Sequence, residues 1–314
     1  MVIRDGKVLH KKGYGLADVA AKTPIDEHTI FDLASVSKQF TAMAIMILAE
    51  RGKLSYDDPL SKFFPELPPY AAKITVRHLL NHTSGLPDYM GEYQKLGKPG
   101  FEPTAREVIG MLAGIREPLF APGEKWQYSN SGYVVLAQVA EKASGVSFPA
   151  FVKTNIFVPL GMNSSVVADE ARPTIAHRAI SYRGEGSDAV NIDYTPLNRV
   201  YGDGNVNTSI EDMYKWDQAL YTDKLVTQST IEQAFTPGTL NDGSRTTYGF
   251  GWTIGAVNGR RMVLHGGAWV GFRTFIARIP SERFTVIVLS NRASFNPGVV
   301  GQQIAQVYLG DKAP

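Results

Sequence analysis

Ser35-Val36-Ser37-Lys38 sets a serine hydroxyl and a lysine amine three residues apart, the only S-x-x-K in the chain. On a helix three residues is about one turn, so the two side chains share a face. If Ser35 stands at the helix start, the unpaired backbone N–H groups there favour negative charge developing on its oxygen. A lysine buried on that face can accept a proton near neutral pH, because desolvation disfavours its charged form. The pair therefore reads as a serine nucleophile with an amine to manage its proton. A pattern of this kind also arises about once by chance in a chain of this composition. The plain alternative is a helix-capping Ser35 with Lys38 in solvent.

Tyr128-Ser129-Asn130 offers an aromatic hydroxyl and an amide on one loop, able to exchange a proton with a serine and to hold a substrate carbonyl or amide. A packed Tyr128 with Asn130 or Ser131 as a helix cap fits the same residues. His265-Gly266-Gly267-Ala268 ends an apolar strand, where paired glycines let a ligand come close enough to use backbone N–H groups. A satisfied histidine beside a bulge is the competing reading. His82, in Asn81-His82-Thr83-Ser84-Gly85, reads as a structural turn residue and is assigned no chemistry.

The elements that would carry these groups follow from periodicity and punctuation. Val2-Ile3 and Val8-Leu9 flank Asp5-Gly6 as a hairpin. From Ser37 to Glu50 apolar residues cover nearly every face, with Arg51 in the last turn and Gly52 as a stop, so this is a buried central helix. Further helices start at Thr104-Ala105-Arg106-Glu107 and near Thr208-Ser209-Ile210-Glu211, each with capping-box spacing. Another runs from about Ser131 to Ser144 and stops at Gly145, entered from the turn at Ala121-Pro122-Gly123. Beyond about residue 245, Gly249–Trp252, Arg261–His265, Phe272–Ile279 and Phe284–Ser290 read as strands, and Gln302–Leu309 closes the chain as a helix. Strands at both ends with helices between predict an α+β fold. An antiparallel sheet lobe of residues 1–56 and 240–314 is flanked by helices, a mostly helical lobe of residues 57–239 is inserted, and the site lies in the cleft between them.

The 314 residues, 44% hydrophobic and 11% aromatic, can fill a sizeable core. Lys and Arg number 32 against 30 Asp and Glu, with no run of five like charges, so nothing in the sequence matches a polyanion and no nucleic-acid partner is expected. The absence of cysteine removes a disulfide framework, a thiolate nucleophile and a cysteine zinc site. The first residues lack a secretory signal, and the longest apolar run, Ala42 to Ala49, is too short to span a bilayer. No G-x-S-x-G or H-E-x-x-H is present, which disfavours an α/β-hydrolase and a zinc hydrolase. No metal or cofactor is expected.

S-x-x-K, Y-x-N and H-x-G occur once each, in this order, on a helix start, a loop and a strand of the terminal half. Together with Phe31-Asp32-Leu33-Ala34 before Ser35, Arg77-His78-Leu79-Leu80-Asn81-His82-Thr83-Ser84-Gly85-Leu86 and Tyr201-Gly202-Asp203-Gly204, they resemble the serine β-lactamase and penicillin-binding-protein superfamily. The likeness is to its class C-like branch of β-lactamases, esterases, DD-peptidases and D-aminopeptidases, and it covers essentially the whole chain. Members usually carry a helix and more of the first strand before the segment matching Val2, and they are often secreted or periplasmic. The resemblance implies a β-lactamase/transpeptidase-like fold and a small ester, amide or peptide substrate. It makes Ser35 the acylated nucleophile, gives Lys38 and Tyr128 the general-base work, and places Asn130, His265, Gly267 and Ala268 against the substrate. The N–H groups of Ser35 and Ala268 would form the oxyanion hole. His265 stands where β-lactamases and DD-peptidases carry Lys, and Gly266 replaces their Thr or Ser. That departure predicts esterase-like or D-amino-acid peptidase-like activity with weak or no β-lactam hydrolysis, a β-lactamase or DD-peptidase being the alternative. Arg273 is the one nearby cation that could restore a carboxylate anchor. A non-catalytic cell-wall binding or scaffold protein is the reading from another class.

Overall fold

The computed structural model describes residues 1–310. Strands Val2–Arg4 and Lys7–His10 form the expected hairpin, with both turn residues, Asp5 (φ 49°) and Gly6 (φ 74°), in the left-handed region that suits a two-residue connection. Val2 then pairs antiparallel with Val286, so the two ends of the chain share one six-stranded sheet. Its order is Thr253–Val257, Arg260–Trp269, Phe272–Ile279, Phe284–Ser290, Val2–Arg4, Lys7–His10. Neighbouring residues on a strand face opposite ways. Val2, Met262, Phe275, Ala277 and Val286 pack under the terminal helix Pro297–Leu309. Ile3, Val263, Ile276 and Ile287 join the larger core with the other helices. Covering both faces is why these strands read as almost unbroken apolar runs.

Helix Lys38–Glu50 is buried without a break from Lys38 to Leu48. The residues before it, Ala34–Ser37, form a separate 3₁₀ turn, so Ser35 stands in a tight entry turn rather than on the α-helix itself. Thr104 and Glu107 make the predicted capping box on Ala105–Ala113. Ser209, one residue beyond the expected start, caps Ile210–Ala219 by accepting the Asp212 N–H. Helix Asn130–Ser144 ends at Gly145 as predicted, but its cap is Ser129, whose Oγ accepts the Gly132 N–H at 3.3 Å. Among the described residues no helix is long and apolar enough to cross a membrane.

Three boundaries differ from the sequence reading. Gly249–Trp252 is a turn, closed by Gly249 N–H donating to the Trp252 carbonyl at 2.8 Å, with Gly251 at φ 78°, outside the strand region. The His265 strand does not end there. Its ladder with Phe272–Ile279 holds as far as Trp269 opposite Phe272, so the two glycines lie within a paired strand. The last helix starts at Pro297, where proline suits the first helical position and Asn296 Oδ1 accepts the Val299 N–H at 3.2 Å.

A small three-stranded sheet, with Val206–Ser209 in the middle between Ile30–Asp32 and Val166–Val167, holds the residues that lead into Ser35. The long strand then presses on that entry turn. A Cβ on Gly267 would lie 2.2 Å from Thr274 Oγ1 and 2.3 Å from the Leu33 carbonyl, so the closeness of strand and turn by itself demands glycine here. A Cβ on Gly266 would point the other way, with the Thr274 carbonyl at 3.9 Å the nearest atom. Gly267→Ala should therefore lower stability by about 2 kcal/mol or more, through overpacking against backbone, while Gly266→Ala stays close to the parent. Paired thermal melts of the two variants check this asymmetry.

Candidate active site

Ser35 enters the helix from a strained residue. Ala34 has φ 49°, rare for a side chain other than glycine, and its N–H is held by Asp32 Oδ1 at 2.7 Å. Leu33 is fixed from two sides, its N–H donating to the Val206 carbonyl at 2.8 Å and its carbonyl accepting Thr274 Oγ1 at 2.6 Å. The neighbouring Ser37 is fully buried, its Oγ occupied by the Val206 N–H at 3.0 Å, so Ser35 is the serine of this turn that faces the pocket.

Lys38 does not reach solvent, being 0% exposed. Its Nζ lies 3.1 Å from Ser35 Oγ, 2.9 Å from Asn130 Oδ1 and 2.7 Å from the Asp203 carbonyl. The amide and the carbonyl oxygen can only accept, so they take two donors whatever the charge on the amine. The third direction faces a hydroxyl, which can accept from an ammonium or donate to the lone pair of a neutral amine. That arrangement suits reversible proton transfer between Ser35 and Lys38. Asn130 is itself oriented by Asp88, whose Oδ2 accepts its Nδ2–H at 3.0 Å and its backbone N–H at 3.2 Å.

Ser35, Tyr128, Asn130, His265, Gly267, Ala268 and Arg273 line one pocket of about 870 Å³ and Lys38 is bonded to Ser35 at its edge, so the structure brings together the candidate site residues named from the sequence. Tyr128 sits with its ring centre 4.9 Å from Lys38 Nζ and 6.2 Å from the His265 ring. His265 is buried between fixed partners. Its Nδ1 is 2.7 Å from the Gly266 carbonyl, which can only accept, so Nδ1 carries the proton and Nε2 accepts the Tyr248 hydroxyl at 2.8 Å. Burial, helped by the nearby Lys38, pushes its pKa down to about 3, and the ring is neutral at pH 7. Arg273, half-buried, donates to the Val270 carbonyl at 3.1 Å and the Phe272 carbonyl at 2.7 Å rather than to a carboxylate.

The Beta-lactamase family model matches residues 1–308. The chain belongs to the Beta-lactamase family. Within it, the chain is 39% identical over 304 residues to Penicillin-binding protein 4* of Bacillus subtilis (strain 168), covering 91% of this chain and 66% of that protein. It is 30% identical over 320 residues to a D-aminopeptidase of Gluconobacter oxydans (strain 621H), covering 98% of this chain and 58% of that one. The chain thus spans less than two thirds of the length of these two relatives. Among solved structures it is similar to the octameric penicillin-binding protein homologue from Pyrococcus abyssi, with a TM-score of 0.85, 31% identity, and coverage of 98% of this chain and 72% of that chain. The α+β architecture of this Beta-lactamase family member is therefore that of penicillin-binding proteins, as the motifs implied.

Sequence reasoning passed over Asp32, Asp88, Asp203 and Thr274. Asp88 left a signal, since it caps helix Tyr89–Leu96 through the Met90 N–H at 3.0 Å. Asp203 lay in a quoted motif without a role. Its carboxylate is buried against the Tyr89 hydroxyl, 3.2 Å from Oδ2, and burial raises its pKa to about 6 while Lys38 pulls it down. Asp32 is raised from 3.8 to about 6 by burial, with Arg178 and the Ala34 N–H opposing. Between those two values the native Asp32 holds a proton that the unfolded chain has lost, so its stabilising contribution is full below about pH 4 and is lost as pH rises through about 6. Asp32→Asn keeps an oxygen for the Ala34 N–H and removes this slope. Relative to the parent it should gain on the order of 2–3 kcal/mol between pH 4 and pH 7, read from urea midpoints across that range.

Proposed function

We propose that this chain is a serine hydrolase of the class C β-lactamase-like type, acting through an acyl-enzyme on short esters or on D-amino-acid amides and peptides. The observation that carries this reading is the Lys38 Nζ 3.1 Å from Ser35 Oγ, with its two other contacts occupied by pure acceptors. As Ser35 Oγ bonds to the substrate carbonyl carbon, its proton passes to the amine of Lys38, with Tyr128 sharing the transfer. The carbonyl oxygen takes up negative charge at the N–H groups of Ser35 and Ala268. Collapse expels the alkoxide or amine, which receives the proton, and a water molecule then releases the acyl group by the same steps. Asn130 holds Lys38 and lies where it can meet the substrate.

Substrate preference rests on His265. A neutral imidazole turned toward Tyr248 and the Gly266 carbonyl, beside a bare Gly266, offers little to a carboxylate. Relative to an ammonium and a hydroxyl, the loss of one charge-assisted and one neutral hydrogen bond costs roughly 2–4 kcal/mol of anion binding, or about 30- to 1000-fold. The D-aminopeptidase of Gluconobacter oxydans supports an amide or peptide substrate. One observation favours the second reading, a β-lactamase or DD-peptidase: Arg273 lines the pocket and, among the described residues, has no carboxylate partner.

A fluorophosphonate should add its mass to the parent at the peptide holding Ser35, and Ser35→Ala should abolish the adduct without melting the fold, a missing hydroxyl costing at most about 2 kcal/mol. An adduct on Ser37 refutes the assignment, and no adduct with an activated ester, a fluorophosphonate or a penicillin favours the non-catalytic binder. Lys38→Ala and Tyr128→Phe should each slow acylation strongly, and the double variant should lose far less than the product, as groups sharing one proton do. In turnover, p-nitrophenyl esters and D-amino-acid amides should exceed nitrocefin in kcat/KM. A parent that prefers nitrocefin, together with loss of that preference in Arg273→Ala, makes the second reading correct.

A further inference from the structure

His82 is the residue that the mechanism leaves unused and the geometry does not. It sits at φ 58°, in the left-handed region. From this position the segment around it is stitched to the loop that carries Tyr128. Leu119 N–H donates to the Gly85 carbonyl at 2.8 Å, Gly123 N–H to the Thr83 carbonyl at 2.8 Å and Gln127 N–H to the His82 carbonyl at 2.9 Å. The series ends with the side chain itself, as Ser129 N–H donates to His82 Nδ1 at 3.2 Å. The two residues on either side of Tyr128 are thus both bonded to His82, one to its backbone and one to its ring.

The ring also makes the floor on which Tyr128 rests. Its centre is 4.4 Å from that of Tyr128 at an interplanar angle of 38°, and 4.4 Å and 5.0 Å from those of Tyr248 and Tyr133. Because Nδ1 accepts a backbone N–H it carries no proton, so the proton is on Nε2, which is buried with no hydrogen-bond partner among the described residues. A buried N–H directed among aromatic faces is tolerable, because ring faces are weakly negative. A histidine needed only for its bulk would not place a bare nitrogen against a backbone donor next to the reacting tyrosine.

We propose that His82 is the positioning residue of Tyr128, setting the tyrosine hydroxyl against Ser35 and Lys38 through the Ser129 N–H···Nδ1 bond and the stacked rings. The proposal rests on the role given to Tyr128 under Proposed function. Three variants separate the parts. His82→Phe keeps a ring and removes the acceptor; His82→Asn keeps an acceptor in the place of Nδ1 and tolerates the left-handed backbone; Tyr128→Phe removes the group being positioned. The reading is the second-order rate of fluorophosphonate labelling, in which Ser35 Oγ attacks phosphorus and displaces fluoride with no hydrolytic step to follow.

His82→Phe is expected to slow labelling by about tenfold or more, His82→Asn to stay within about threefold of the parent, and His82→Phe added to Tyr128→Phe to cost less than about threefold further, since a group acting through another has nothing left to act on. A purely structural His82 would lose the same factor in both backgrounds, and that multiplicative result overturns the proposal while leaving the role of Tyr128 standing. An unimpaired Tyr128→Phe protein overturns both. Should His82→Phe fail to fold, nitrogen-15 spectra of the histidines in the parent decide instead. A His82 ring protonated on Nε2 and bare on Nδ1 is required, and the opposite tautomer refutes the clamp.

Discussion

An amine held out of water at Lys38 must have each of its contacts matched, and the residues around it are disposed to that end. Asn130 and the Asp203 carbonyl arrive from segments 92 and 165 residues away in the chain. Neither can give a proton back. They leave the Ser35 hydroxyl as the hydrogen-bonded neighbour, among the described residues, with which the amine can trade, which turns a costly buried group into a directed one. The packing of helix Asn130–Ser144 against the buried helix Lys38–Glu50, and the small sheet that brings Val206 beside Leu33, are the means by which those acceptors are delivered.

The serine side of the pair depends on strain held in place by neighbours. Ala34 adopts its left-handed conformation because Asp32, Thr274 and Val206 fix the backbone on either side, and because Gly267 lets the long strand come close enough for Thr274 to reach the Leu33 carbonyl. Sheet, turn and helix are therefore one mechanical unit. Residues far from the reacting atoms, on a strand more than 230 positions later, decide where the Ser35 oxygen points.

Charge in the pocket is arranged unevenly. Burial raises the carboxyls of Asp203 in the pocket and Asp32 behind it to about 6, and His265 is buried and kept uncharged by the same loss of water. What remains to meet a ligand is a hydroxyl, an aromatic hydroxyl, an amide, backbone N–H groups and the half-buried Arg273. Such a surface favours neutral acyl groups near Ser35, with a cation set to one side.

Local features were legible in the sequence. The hairpin at Asp5-Gly6, the box at Thr104 and Glu107, the stop at Gly145 and strands Phe272–Ile279 and Phe284–Ser290 each follow from propensities and spacings that operate within a few residues. So did Ser35 with Lys38, because one helical turn joins them. The same local rules misjudged Gly249–Trp252 and the extent of the His265 strand and did not foresee the packing that demands glycine at Gly267, since contacts with distant segments settle each of these. They gave no role to Asp32, none to Asp88, Asp203 or Thr274, and only a turn to His82; the contacts of these last four with Asn130, Tyr89, the Leu33 carbonyl and the Ser129 N–H reach across the fold. A hydrogen bond between residues distant in sequence leaves no periodicity behind it, so the chain alone determined which groups could react, and only the tertiary structure decided which groups hold them.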